Sequence, residues 1–362
     1  MGRVRKFFAG SNTPLGFYSF FDQIIDLKQA HRFFILKGGP GTGKSTLMYA
    51  IAAELLNQGY DIEEFHCSSD AESLDGIAIP ALKSAIVDGT APHVLEPKYP
   101  GCGEKIIDLG QFWDQKALIR HRQEIVSLTN ANKECYPRVY HYLRAAKELY
   151  DDTCAVNQKA VDNVQVGQVT KNLISEIFTN HNPRARIGQV RHLFAAAYTP
   201  QGLVDELSSI MDGYTVRYII KAEPGAGAHQ IMQTVVDHAV HHGFTVEAYH
   251  SPLDPQRIDH LALPELGIGI VSTYPPYTAD QLDGELINLN DYLDHTLRMQ
   301  YQHILHKNFV LFDELINLAI KQLRHAKHLH DQLEAYYIDH MDFSQYEHLK
   351  LEIVREMLRY EA

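Results

Sequence analysis

Apolar residues in this chain fall into two kinds of run. Short continuous stretches such as FFILK (33–37) and SAIVD (84–88) are bounded by turn-forming or polar residues. Strands buried on both faces read this way, and strands alternating with helices argue a parallel sheet. Longer stretches repeat apolar residues every three or four positions, as a helix with one buried face does. The pattern predicts, in order, a short strand over about 5–9, a helix over about 16–28 and a strand at 33–37. Glycines follow, then a helix over 44–58, a second strand over about 61–67 and a third over about 84–88. Residues from about 112 to 180 carry helical periodicity with few breakers, which predicts a helical bundle or lid.

The pattern is written twice. Ile35 to Val87 aligns without a gap to Ile219 to Val271, with 16 identities in 53 columns. Among them are Lys37/Lys221, Pro40/Pro224, Gly41/Gly225, Gly43/Gly227, His66/His250, Asp70/Asp254 and Asp75/Asp259. RKFFAGSNTPLGF (5–17) matches RHLFAAAYTPQGL (191–203), and LRAAKEL (143–149) matches LRHAKHL (323–329). Collinear blocks of this kind mark a duplication. The fold class expected is therefore α/β, with two tandem parallel-sheet units, 1–182 and 183–362. Each carries an appended helical region, at about 112–180 and about 285–360. The polar stretch NHNPRAR (180–186) suits the joint between them.

Composition narrows the function classes. The chain has 362 residues, 45% hydrophobic and 22% charged, enough for a sizeable core. A net charge of −12 argues against nonspecific nucleic-acid binding, which needs a basic surface. No apolar stretch is long enough to span a membrane. The four cysteines form no CxxC pair, so reduced thiols and a cytoplasmic location are expected. Twenty-one histidines show no zinc-like spacing with cysteine or acid.

Residues 38–46 read GGPGTGKST, which satisfies G-x-x-x-x-G-K-[ST] between an apolar strand and a helix. Backbone N–H groups of Gly39, Gly41, Thr42 and Gly43 would curl around phosphate oxygens at a helix N-terminus. Lys44 would reach the β- and γ-phosphates, Ser45 would ligate Mg²⁺ and Thr46 would meet the α-phosphate. The motif resembles that of the P-loop NTPases. Most of the chain is similar to tandem-duplicated bacterial P-loop ATPases of unassigned substrate, whose second P-loop is degenerate, with the 38–46 stretch as the specific motif.

The resemblance implies a second acid, Walker B, ending a hydrophobic strand. Asp88, after Ala85-Ile86-Val87, fits that role as a holder of Mg²⁺; Asp108, after Ile106-Ile107, is the alternative, placed where a loop gives way to helix. The second unit reads AEPGAGAHQ (222–230), so Lys44, Ser45 and Thr46 become Ala228, His229 and Gln230, and Asp88 becomes Ser272. Joint loss of the phosphate charge, the metal ligand and the acid points to one working site. Features kept in both units, such as His66, Asp70, Asp75 and Arg144, lean structural. Arg120 and Arg122 align with Gln300 and Gln302, and arginines found only in the first unit suit charge neutralisation on a transferred phosphoryl group. The guanine signature NKxD is absent, which favours ATP. The expected function is Mg-dependent ATP binding with slow or partner-stimulated hydrolysis in the first unit, the second being a pseudo-NTPase scaffold. The alternatives are a small-molecule or nucleotide kinase and an ATP-gated binding module. The phosphoryl acceptor and any protein partner stay open.

Overall fold

The computed structural model describes residues 2–274 and 281–359; Met1 and Ala362, the outer bounds of the two expected units, lie outside them. The first half runs β1 (Val4–Phe7), β2 (Gly10–Thr13), β3 (Gly16–Ser19), β4 (Arg32–Lys37), α1 (Lys44–Asn57), β5 (Ile62–Cys67), β6 (Asp70–Ile79), β7 (Ser84–Asp88), β8 (Glu104–Asp108), α2 (Gln115–Arg120), α3 (Arg122–Ala160) and α4 (Asn163–Phe178). The second half runs β9 (Val190–Leu193), β10 (Ala196–Thr199), β11 (Gly202–Asp205), α5 (Leu207–Met211), β12 (Val216–Lys221), α6 (Ala228–His241), β13 (Val246–His250), β14 (Ile258–Leu263), β15 (Ile268–Thr273), β16 (Glu285–Asn288), α7 (His295–Gln300), α8 (Gln302–Ile338) and α9 (Tyr346–Leu358). Two six-stranded sheets result, ordered β1-β5-β6-β7-β4-β8 and β9-β13-β14-β15-β12-β16.

Both sheets are mixed, which corrects the parallel expectation. β6 runs against the other five strands of its sheet, pairing antiparallel with β5 and β7. Only two residues separate Cys67 from Asp70, too few for a parallel crossover. The expected helix over 16–28 is also corrected. That stretch begins as the hairpin β2–β3 and continues into a single 3-10 turn at Phe21–Gln23. Thr13 Oγ1 donates to the Gly16 carbonyl at 2.7 Å and accepts from Leu15 N at 3.1 Å, while Gly16 takes φ +105°. Thr199 and Gly202 repeat this turn between β10 and β11. Residues 285–288 likewise form a strand, not the start of a helix.

Alternation along β4 explains why the strand is apolar on both faces. Phe34 and Leu36 join Leu47, Met48, Ile51 and Leu55 of α1 in one core. Phe33 and Ile35 face the other way, into a core shared with Leu207, Ile210, Met211, Tyr249 and Val271 of the second unit. The units also exchange their last helices. Leu173, Ile177 and Phe178 of α4 are buried with the second sheet and α6, and Ile353, Val354 and Met357 of α9 with the first sheet and α1. The long helices α3 and α8 lie side by side, burying Val139, Leu143 and Ala146 against Phe312, Ala319 and Leu323.

Paired contacts at the joint have the form of a two-fold interface, in which each contact occurs twice with roles reversed. Phe8 and Phe194 exchange both backbone hydrogen bonds at 3.0 Å. Arg5 reaches Glu247 at 2.5 Å and Arg191 reaches Glu63 at 2.7 Å. Burial alone would raise the Glu247 carboxyl, but Arg5, Arg191 and the Tyr249 hydroxyl bring it down to about 2 from an ordinary 4.5. A carboxyl with a depressed folded pKa stabilises above its unfolded value and loses that contribution as pH falls toward the folded one. The melting temperature should therefore hold from pH 7 to about 5 and fall below about pH 4.5. Glu247→Gln should lower it at pH 7 and flatten that acid limb. An unchanged profile in calorimetric scans would remove Glu247 from the account.

Candidate functional site

The loop between β4 and α1 is shaped by two glycines with left-handed backbone, Gly41 (φ +67°) and Gly43 (φ +71°), the second capping α1. A Cβ at Gly38 would approach Thr42 Oγ1 to 2.8 Å, and that hydroxyl donates to the Gly39 carbonyl at 2.9 Å. The loop is thereby closed on itself at the start of a 14-residue helix, whose first N–H groups have no acceptor within the helix and can face an anion. Lys44, the first residue of α1, folds back over it. Its Nζ donates to the carbonyls of Gly38 (3.1 Å) and Gly39 (2.9 Å) and stands 3.5 Å from Asp88 Oδ2. Ser45 Oγ accepts from Leu74 N at 2.9 Å, which brings it against β6.

Asp88 and Asp108 end the strands on either side of β4, level with Leu36 and Lys37. Their surroundings differ. One Asp88 oxygen accepts from the Thr90 N–H and hydroxyl at 2.8 and 2.6 Å, and the other faces Lys44. Asp108 lies on the far side of β4 and ends β8, rather than opening a helix from a loop. Its Oδ1 accepts from Gly110 N at 2.8 Å and caps a 3-10 turn, Leu109–Phe112. Asn288 makes the same bond to Asn290 N.

A third acid joins the first. Pairing of Gly76 with Val87 sets Asp75 beside Asp88. Asp75 is 4% exposed, and its Oδ2 is buried without a hydrogen-bond partner. Burial raises its pKa, His93 at 3.8 Å opposes the shift, and the Asp88 charge adds to it. In the second unit Asp259 has a guanidinium partner, Arg257, at 3.4 Å. The residue aligned with Arg257 is Ser73. The acid is kept in both units and its neighbour differs, His93 in the first and Arg257 in the second.

With this geometry in view, a family model described as Novel STAND NTPase 3 matches residues 18–87. The match supports an NTPase-type family for that segment. It takes in β4, the glycine loop, α1 and β7 as far as Val87. Neither a curated protein nor a solved structure gives a match.

The remaining residues singled out above sort by their partners. Asp70 is held by Lys327 at 3.4 Å and Asp254 by Lys147 at 3.2 Å, each lysine coming from the other unit's long helix. Arg144 donates to the Pro14 carbonyl and Arg324 to that of Pro200. His66 is buried, with Nδ1 2.8 Å from the Ala71 carbonyl oxygen. Arg120 and Arg122 are exposed at the α2–α3 corner, beside His121, whose ring meets those of Tyr336 and His340. No hydrogen bond or ion pair ties either arginine to the loop among the described residues. The second loop keeps its left-handed Gly225 and Gly227, but Asn157 Nδ2 donates to the Pro224 carbonyl at 2.8 Å. No helix among the described residues is long and apolar enough to cross a membrane.

Proposed function

We propose that the first unit binds one Mg-ATP per chain and hydrolyses it slowly, or under stimulation by a partner. The carrying observation is the convergence of Lys44, Ser45, Asp75 and Asp88 at the N-terminus of α1. Among the described residues no three His, Cys, Asp or Glu side chains gather to hold a metal on their own. Magnesium does not require such a cage, since it is commonly held by one or two carboxylates, waters and substrate phosphates. The unpartnered Asp75 oxygen, the Asp88 carboxylate and the Ser45 hydroxyl are hard oxygen donors that fit it. When bound, Mg²⁺ would supply charge neutralisation on the β- and γ-phosphates.

The chain's own residues would do the rest. Backbone N–H groups of Gly39, Gly41, Thr42 and Gly43, with those opening α1 through Thr46, would hold the phosphates. Lys44 would leave the Gly38 and Gly39 carbonyls for phosphate oxygens, a stronger charge-assisted pair. Asp75, buried beside Asp88, would add a second carboxylate on the metal's inner side. We assign Arg120 and Arg122 to turnover only, where movement of the α2–α3 corner would bring positive charge to the transferred phosphoryl group.

Incubation of the pure protein with Mg-ATP and a metabolite pool should release free phosphate. Label on a metabolite would instead make the protein a kinase, and label left on ATP would make it a binding module. Titration calorimetry should give one nucleotide per chain, because Ala228, His229, Gln230 and Ser272 lack the charge, the hydroxyl and the acid. Two equivalent sites would overturn the assignment of the second loop.

A further inference from the structure

The first unit's loop is covered by the second unit. Near the end of α8, Glu334 Oε1 accepts a hydrogen bond from Gly41 N at 3.2 Å. Contact here is close, for a Cβ at Gly41 would lie 2.7 Å from the Glu334 carbonyl oxygen and 2.9 Å from Ile338. The hydroxyl of Tyr346, which opens α9, donates to the Thr42 carbonyl. Phe343 and Tyr346 lie over Gly43, and Trp113 and Tyr337 over Gly39.

The degenerate loop is covered by the equivalent corner of the first unit, which serves as an internal comparison. The Cys154 carbonyl stands as near to Gly225 (2.5 Å from a Cβ there) as that of Glu334 stands to Gly41. The backbone approach is thus alike at both loops, and the side chains are not. At the offset of 180 that relates the helices, Glu334, Tyr337, Phe343 and Tyr346 become Cys154, Asn157, Asn163 and Val166. At the place where Glu334 bonds Gly41, the degenerate loop meets Cys154, and the acid nearby, Asp151, shares its space with Arg257.

The Glu334 carboxylate uses a donor the phosphates need. Two anions cannot share one N–H in a part-buried site without mutual repulsion. Behind Glu334, one turn earlier on α8, His330 Nε2 lies 3.4 Å away. His330 and the Gly41 N–H hold the Glu334 carboxyl below its usual range, against the effect of burial, so it is ionised at neutral pH. A displaced Glu334 keeps His330 as a partner, which lowers the cost of leaving the loop.

We propose that Glu334 is a built-in competitor of nucleotide phosphate, through which the second unit holds the first unit's site closed until ATP displaces it. This rests on the nucleotide reading above. It gives the degenerate unit a part at the working site: its α8–α9 corner senses whether the loop is filled.

Trp113 is the only tryptophan of the chain, and its ring would lie 3.4 Å from a Cβ at Gly39, so its fluorescence can report binding. Mg-ATP titrations of wild type, Glu334→Gln and Glu334→Ala are the test, with calorimetry as a second readout and Lys44→Ala as the site control. Glu334→Gln keeps the shape and removes the charge. Both Glu334 variants should bind Mg-ATP roughly tenfold more tightly than wild type, the scale of one charged hydrogen bond released. In wild type, Mg-ATP should speed amide exchange over residues 339–345 while slowing it over 38–46. Equal or weaker binding by both variants, in a titration that Lys44→Ala abolishes, overturns the competitor role and leaves the nucleotide reading standing. No Lys44-dependent binding by any of the proteins overturns the nucleotide reading, and this inference with it.

Discussion

Lys44→Ala should abolish ATP turnover and weaken Mg-ATP binding by at least tenfold, because a charge-assisted contact to phosphate is worth about 1.5–3 kcal/mol. The side chain is only 11% exposed and has three partners: two loop carbonyls and Asp88. Its removal also leaves Asp75 and Asp88 as neighbouring acids without that cation. The single variant should therefore lose some stability, seen as a melting temperature a few degrees lower. The second unit shows how the fold tolerates alanine at this point: Ala228 is accompanied by Ser272 and not by an acid. The double variant Lys44→Ala/Asp88→Ser copies that arrangement and should recover part of the lost stability without recovering binding. Calorimetric scans and ATP titrations on the three proteins test both statements. Wild-type affinity in Lys44→Ala would mean that phosphate does not meet this loop.

Much of this was legible in the chain because its local and tertiary demands coincide. β4 is buried on both faces, so FFILK could only be an inner strand, and the glycines that follow leave no other turn to make. β6 escaped because DAESLDGIAI is polar in its first half, where it lines the site, and apolar only toward Ile79. The β2–β3 hairpin escaped for a different reason. Phe17, Phe20, Phe21 and Ile24 fall at helical spacing, and the Thr13 and Gly16 turn overrides that signal. The exchange of α4 and α9 between units leaves no local trace, since Leu173 and Ile177 present the same apolar stripe to either sheet. Repetition has the same effect at the joint. Arg5 could pair with Glu63 of its own unit or Glu247 of the other, and it touches both. Of the residues proposed for the site, Lys44, Ser45 and Asp88 are suggested by spacing. Asp75 and Glu334 are not, because what marks them is the missing partner of one and the position of the other across the interface.

The acids around β4 should separate sharply. Asp88→Asn and Asp75→Asn should each lose Mg²⁺-dependent turnover, by about a hundredfold or more, the scale seen when one preorganised charge is removed from a reaction centre. Asp108→Asn should keep turnover and cost at most about 0.5–2 kcal/mol, because its carboxylate caps the turn at Gly110 and Asn288 already performs that task in the second unit. Stability distinguishes the two site acids further. Asp88 bonds Thr90 and faces Lys44, so its asparagine variant should melt close to wild type or slightly lower. Asp75 is buried with an oxygen that has no partner and a pKa raised first by burial. A carboxyl whose folded pKa is raised destabilises the folded state once pH exceeds its unfolded value. Asp75→Asn should therefore melt at a higher temperature than wild type at pH 7, with the gap closing toward pH 4. Loss of turnover together with gain of stability is what a residue kept for chemistry produces. A less stable Asp75→Asn that still turns over ATP would return Asp75 to the structural role of Asp259, and turnover lost only in Asp108→Asn would move the metal to the other side of β4.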